Sequence, residues 1–286
     1  MPEAAGVPDS LVVTPASRQD WSVVTEWAAA EGWNPGERDR EAFFAQDPEG
    51  FLLGRLDGEP VSAVSVVNYS PEYAFLGFYL VRPDLRGRGL GMATWKAGLA
   101  HAGSRVIGLD GVPDQQNNYR RSGFELAYRS ARFTGVPRLD AADDSVRALE
   151  PADLAAVHAY DSACLPADRT PFLTAWLADP ANLTLVRVVD GVLTGYAAVR
   201  PARDSLRVGP LFADDPGTAR ALLAALTERT GGVELAVDVP LRNESAVALA
   251  EQAGLAPSFE TARMYTGPVR DLHPERVYGV TTLELG

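Results

Sequence analysis

The spacing of apolar and polar positions changes period several times along the chain, and each change marks a predicted element. Residues 18–30 and 36–46 carry apolar positions at helical spacing, the second stretch preceded by the turn-forming Asn34-Pro-Gly36. Residues 51–55 and 61–68 alternate at period two around Asp57-Gly58, a hairpin signal. Residues 73–81 read as a third strand, 92–102 as a helix, 105–109 as a buried strand, 115–122 as a short helix and 124–133 as a closing strand. The second half repeats the order. It shows helices near 151–163 and 168–178, strands near 183–189, 193–200 and 206–212, and a helix near 216–229. A strand at 233–238, a helix at 243–252 and a strand at 258–266 follow, with 277–285 as an extra strand. Leading helices, a strand meander and then strand–helix alternation predict an α/β class, with a mixed sheet covered by helices on both faces.

The two halves also end alike. One closes with Gly123-Phe-Glu-Leu-Ala-Tyr-Arg-Ser-Ala-Arg-Phe-Thr-Gly135, the other with Gly254-Leu-Ala-Pro-Ser-Phe-Glu-Thr-Ala-Arg-Met-Tyr-Thr-Gly267. The paired glycines lie 254 − 123 = 131 residues apart, a domain-sized offset. Two related domains in tandem, 1–139 and 145–286, are the expected organisation, joined by the polar stretch 140–145.

Composition narrows the function classes. The 286 residues are 46% hydrophobic and 22% charged, which suits a soluble globular protein with a sizeable core. No apolar stretch is long enough to cross a bilayer, and Met1-Pro-Glu-Ala-Ala5 lacks the basic start and apolar run of a signal peptide. A single cysteine, Cys164, fits a reducing cytoplasm, the expected location. With His101, His158 and His273 scattered, no metal site is expected. A net charge of −12 excludes nucleic acid as a partner and suits a cationic acceptor such as an amine.

The stretch that carries chemistry is Val81-Arg-Pro-Asp-Leu-Arg-Gly-Arg-Gly-Leu-Gly-Met92. A strand ends, Pro83 stops it, and a loop with three alternate glycines enters a helix. The first backbone N–H groups of a helix have no internal acceptor, and glycine lets a phosphate approach them closely. Arg86 and Arg88 add positive charge, so a diphosphate is the natural ligand. A dinucleotide-binding fingerprint would need glycine where Met92 stands, and a Walker loop would need Gly-Lys-Ser/Thr. One Arg-Gly-Arg-Gly run in an acidic chain does not make an RNA-binding tract.

Arg86-Gly-Arg-Gly-Leu-Gly91 resembles the Arg/Gln-x-x-Gly-x-Gly/Ala signature of the GNAT acetyltransferase superfamily, and Asn117-Asn-Tyr-Arg-Arg-Ser-Gly-Phe124 resembles its second motif. The resemblance is close over roughly 10–135 and rests on the repeat over 145–286. It implies a tandem GNAT chain that transfers an acetyl group from acetyl-CoA to a primary amine by direct attack in a ternary complex. It implies that the backbone of Arg86, Gly87, Arg88, Gly89, Leu90, Gly91 and Met92 holds the CoA diphosphate. Tyr79, Leu80 and Val81 would pair with pantetheine, and Asn117 or Asn118 would touch that arm. Tyr119, four residues before Gly123, would be the general acid toward the leaving thiolate. Cys164 lies outside both motifs, which argues against an acyl-cysteine route.

The acceptor side is less marked. Asp110, Asp114 and Glu31 are candidates for the general base, and Trp33, Asn34 and Tyr69 for acceptor contacts. The acceptor is a small-molecule or peptide amine, and the chain a monomer or homodimer. In the second half the loop position reads Val208-Gly-Pro-Leu-Phe-Ala-Asp-Asp-Pro-Gly217, with acids in place of arginines, and Ala250 stands where the acid would be. The expectation is a copy without a cofactor site that covers the acceptor pocket of the first half, with Arg263, Tyr265 or Tyr278 facing the cleft. A non-catalytic acyl-CoA-binding or sensing module is the competing reading.

Overall fold

The computed structural model describes residues 10–140, 144–270 and 272–286. The Met1–Ala5 reading and the middle of the expected linker lie outside these residues. The first half contains β1 (Leu11–Pro15), α1 (Trp21–Ala30), α2 (Asp39–Gln46), β2 (Phe51–Leu56), β3 (Glu59–Asn68) and β4 (Tyr73–Val81). It continues with α3 (Leu90–Ala102), β5 (Val106–Gly111), α4 (Gln116–Arg121) and β6 (Glu125–Gly135). The second half contains β7 (Val146–Ala148), α5 (Leu154–Cys164), α6 (Thr170–Ala178), β8 (Leu183–Val189), β9 (Val192–Pro201) and β10 (Leu206–Ala213). It ends with α7 (Pro216–Arg229), β11 (Leu235–Pro240), α8 (Glu244–Gln252), β12 (Ala256–Tyr265) and β13 (Val277–Gly279).

Strand alternation puts successive side chains on opposite faces. Leu53, Ala63 and Val67 join one apolar cluster, whereas Leu52, Val64 and Val66 join another with Trp95 of α3. In the second half Tyr196 and Ala198 join the first of these clusters, and Ala197 and Val199 pack with Leu222 of α7. One face is therefore a single core shared by α1, α2, α5 and α6 of both halves. Phe43 of α2 stacks on Phe172 of α6 at 6.2 Å between ring centroids. Covering this face from both halves buries Trp21 and Trp176 almost completely.

The sheet runs β1-β2-β3-β4-β5-β12-β6-β11-β10-β9-β8-β7, with β13 beside β10. The halves thus exchange their closing strands. β12 pairs antiparallel with β5, and β6 pairs antiparallel with β11. Each exchanged strand carries an arginine directly opposite an aspartate of the other half. Arg263 Nε and Nη2 donate to the two carboxylate oxygens of Asp110 at 2.9 and 2.6 Å. Arg132 Nε and Nη2 donate to Asp238 at 2.8 and 3.2 Å. Burial would by itself raise the Asp238 carboxyl, but Arg132 and Arg207 hold it well below the usual carboxylate range. The repeat of 131 residues is therefore also a two-fold pattern of buried locks.

The expected 277–285 strand is only three residues long. From Val280 the chain leaves the sheet and runs, buried, to Gly286. Two short edge strands, β1 and β7, were not expected from the alternation.

Candidate active site

β4 and β5 pair in parallel only over Tyr73–Leu76 and Val106–Leu109. Beyond Leu76, β4 bulges against β3, where its register slips between Gly77 and Leu80, and Phe78 takes a φ of 45°. Such a conformation in a bulky residue is uncommon and points to a functional constraint. The two strands diverge, which frees the backbone edge of 77–81 and opens a cavity of about 440 Å³. Its lining includes Tyr79, Leu80, Val81 and the Arg86–Met92 loop, except Arg88.

The loop leads into α3 without a cap. Gly87 and Gly89 both have φ near +79°, which side chains disfavour, and Gly89 ends the loop with no side-chain cap on α3. Gly91 lies under the Tyr79 ring, where any side chain would collide with its hydroxyl. No acceptor among the described residues takes the N–H groups of Leu90, Gly91 and Met92 at this helix start, so they remain available to an anion. The Arg86 guanidinium turns back to the Val81 carbonyl at 3.1 Å and to Glu31, bracing the loop.

Tyr119 reaches the same cavity from α4. Its ring stacks on Trp95 with centroids 5.7 Å apart, and the space it fills exists because residue 111 is glycine. Burial, with a smaller contribution from Tyr79, pushes the phenol up from its usual value. It therefore keeps its proton across the physiological range.

Several expected residues sit elsewhere. The Asp110 side chain is fully buried in its pair with Arg263, so only its backbone meets the cavity. Both of its oxygens are taken by Arg263, so it is a structural lock. Arg263, expected at the cleft, is the other half of that lock. Asn117 and Asn118 are exposed on α4 and bond to Arg120, Gln115 and Arg121; Gln115 lines the cavity instead. Asn34 is buried, its amide spanning Ser205 and the Asp204 backbone, so it ties the halves together and does not meet acceptor. Tyr69 lies outside the cavity, its hydroxyl donating to the Leu285 carbonyl at 2.9 Å. Glu31 remains at the mouth, occupied by Arg86, and Trp33 lines the wall. Tyr265 packs against Tyr73 and Tyr278 is buried in the second-half core, both outside the cavity.

The second half supplies wall residues that the sequence reading missed. Phe259 and Thr261 of β12, with Leu283 and Glu284 beyond β13, line the cavity. The chain passes so close to the bulge that a side chain at residue 77 would strike the Glu284 carbonyl. A readable signal did exist: Glu284 is a lone charge within Val280-Thr-Thr-Leu-Glu-Leu-Gly286. Among the described residues, no group of three or more His, Cys, Asp or Glu is placed to hold a metal. No helix there is long and apolar enough to cross a membrane.

Comparison with known proteins agrees with this geometry. The acetyltransferase (GNAT) family profile matches residues 18–124, and an acetyltransferase (GNAT) domain profile matches 157–279. The holothin acyltransferase of Pseudoalteromonas sp. (strain SANK 73390) is 34% identical over 95% of this chain and 93% of its own length. A protein of Pyrococcus horikoshii assigned to the acetyltransferases superposes with a TM-score of 0.83 at 22% identity, covering 99% of both chains. A tandem GNAT protein from the clavulanic acid biosynthesis pathway superposes at 0.63 with 16% identity, over 91% of this chain and all of its own.

Proposed function

The chain belongs to the GNAT family of acyltransferases, and we propose that it transfers an acetyl group from acetyl-CoA to a primary amine by direct attack within a ternary complex. The observation that carries this reading is the uncapped start of α3, which opens onto the same cavity as Tyr119. The backbone N–H groups of the loop and of Leu90–Met92 bind the donor's diphosphate. The free edge of Tyr79, Leu80 and Val81 holds its pantetheine arm as an added strand would be held. Gln115 and Val112 flank that arm. Tyr119 gives its proton to the departing thiolate. Burial makes the phenol a weaker acid, but the thiolate leaves into the same water-poor space, where its own proton affinity rises. The amine acceptor enters from the side walled by Trp33, Phe259 and Leu283. The similarity to a holothin acyltransferase supports a small-molecule amine in that place.

Two measurements test the reading together. Saturating acetyl-CoA at about 100 times its Kd should stabilise the protein by about 2.7 kcal/mol. Tyr119→Phe should keep that shift while slowing thiol release about 10- to 1000-fold. A parent protein with no shift overturns acetyl-CoA as donor. A Tyr119→Phe variant at full speed removes the phenol from the chemistry, and a parent that binds but never turns over favours a sensing module.

A further inference from the structure

Glu284 is 4% exposed and belongs to a buried ionic network. Its Oε1 accepts from Arg207 Nη1 at 3.1 Å, and Arg207 Nη2 donates to Asp238 at 2.5 Å. Arg200 Nε donates to Asp39 at 2.8 Å in the same interior. The charged groups around Glu284 are Arg207 on β10, Arg200 on β9, Asp39 on α2, Asp238 on β11 and Asp110 on β5. With their partners Arg132 and Arg263 they make four arginines facing four carboxylates. Buried ion pairs of this kind normally use every oxygen. Glu284 does not: its Oε2 is buried with no partner. Thr261 Oγ1 is likewise buried and unpaired. Both residues line the cavity of Tyr119, on the wall contributed by the second half.

Resting on the acyl-transfer reading above, we infer that Glu284 Oε2 is the general base of this enzyme and that Thr261 Oγ1 orients the same acceptor nitrogen. The amine nitrogen forms its bond to the thioester carbonyl carbon and becomes positively charged. Glu284 takes one proton from it as the carbon–sulfur bond breaks and Tyr119 protonates the sulfur. The carboxyl then loses its proton to solvent and the phenolate regains one, so amine and thioester give amide and thiol with no other reactant. Arg207 fixes Oε1 and so leaves Oε2 as the basic atom. The base thus comes from the half of the chain that lacks the glycine loop, which gives that half a role in the chemistry of the other.

The test is thiol release from acetyl-CoA, with a panel of primary amines and with water alone as acceptor. Glu284→Gln keeps an oxygen for Arg207 but cannot take a proton. It should lose about 100-fold or more in kcat/KM and the acidic limb of its pH profile, with the acetyl-CoA thermal shift intact. Thr261→Val keeps the side-chain shape and leaves the arginine network untouched, so it stands if Glu284→Gln folds poorly. It should raise the amine KM about 3- to 10-fold with acetyl-CoA binding unchanged. Glu284→Gln within threefold of the parent and with an unchanged pH profile would overturn the inference alone, as would Thr261→Val indistinguishable from the parent. A parent that neither binds acetyl-CoA nor releases thiol would instead overturn the acyl-transfer reading, and this inference with it.

Discussion

Two clefts occupy matching places in the two halves, and they have met opposite fates. In the first half, β4 and β5 part after four paired residues and the gap between them is open. In the second, β10 and β11 part after Leu206–Val208, following a similar bulge at Gly209 and Pro210, and β13 lies in the gap. β13 pairs with β10, and Val280 donates to the Asp238 carbonyl of β11 at 2.9 Å. Gly279 sits so close to Val237 and Leu211 that a side chain there would collide with them. The helix starts differ in the same sense. α3 begins uncapped at Gly89, whereas α7 begins with Asp215, whose carboxylate accepts from Thr218 N at 2.9 Å and Thr218 Oγ1 at 2.8 Å. The chain's own strand and carboxylate take up in the second half the positions that a pantetheine arm and a diphosphate would take in the first. The second cleft is not vacant, and the segment that fills it goes on to bring Glu284 to the first.

This contrast can be broken at several depths. The largest effect should come from the locks that the halves share. Asp110→Asn and Asp238→Asn each leave a buried arginine short of a charge and should cost about 3–5 kcal/mol in urea unfolding. Asp238 should be the costlier, because it serves both Arg132 and Arg207. Equal, small losses would mean that the exchange is held by backbone pairing alone. Next, Gly89→Asp puts a carboxylate at the position that Asp215 holds in the second half. Acetyl-CoA affinity measured by calorimetry should fall about 100-fold, since like charges set against each other cost several kcal/mol. Unchanged affinity would remove the α3 start from the donor site. The smallest effect should come from Asp215→Ala, about 1 kcal/mol for a lost cap, with acetyl-CoA binding untouched. Thr218 holds the Asp215 carboxyl below the ordinary 3.8. Its contribution is therefore fully present above that value and disappears as pH falls through the folded one. A stability curve for Asp215→Ala parallel to the parent's at acid pH would contradict the assignment.

Much of the scaffold was legible because period-two and helical spacing are local properties. The strands of both meanders and the helices α3 and α7 fall close to where alternation places them. The glycine loop was legible for a related reason, since left-handed backbone at Gly87 and Gly89 demands a particular residue type at a particular place. What escaped was pairing. β6 and β12 end in the same Ala-Arg pattern, so either could close either sheet, and nothing local says that they trade places. The acceptor wall escaped with them. Asp110 and Asn34 look available along the sequence, but partners more than 150 residues away engage both side chains. Thr261 gains its position from the same exchange, and Glu284 from the segment that follows β13. The short strands β1 and β7 are sheet edges, with too few residues for a periodic signal.

The exchange also sets a timetable for the chain as it is made. Gly111 of β5 waits for Ala262, 262 − 111 = 151 residues later, before its neighbour strand exists. At about 5–20 residues per second, that interval is roughly 8–30 s on the ribosome. Throughout it, the emerging N-terminal half offers the unpaired side of β5 to whatever strand is nearest. β6 of the same chain is the nearest, and it carries the Arg132 that would face Asp110 as Arg263 finally does. Because β12 is made after β6, β6 is its competitor for that side of β5.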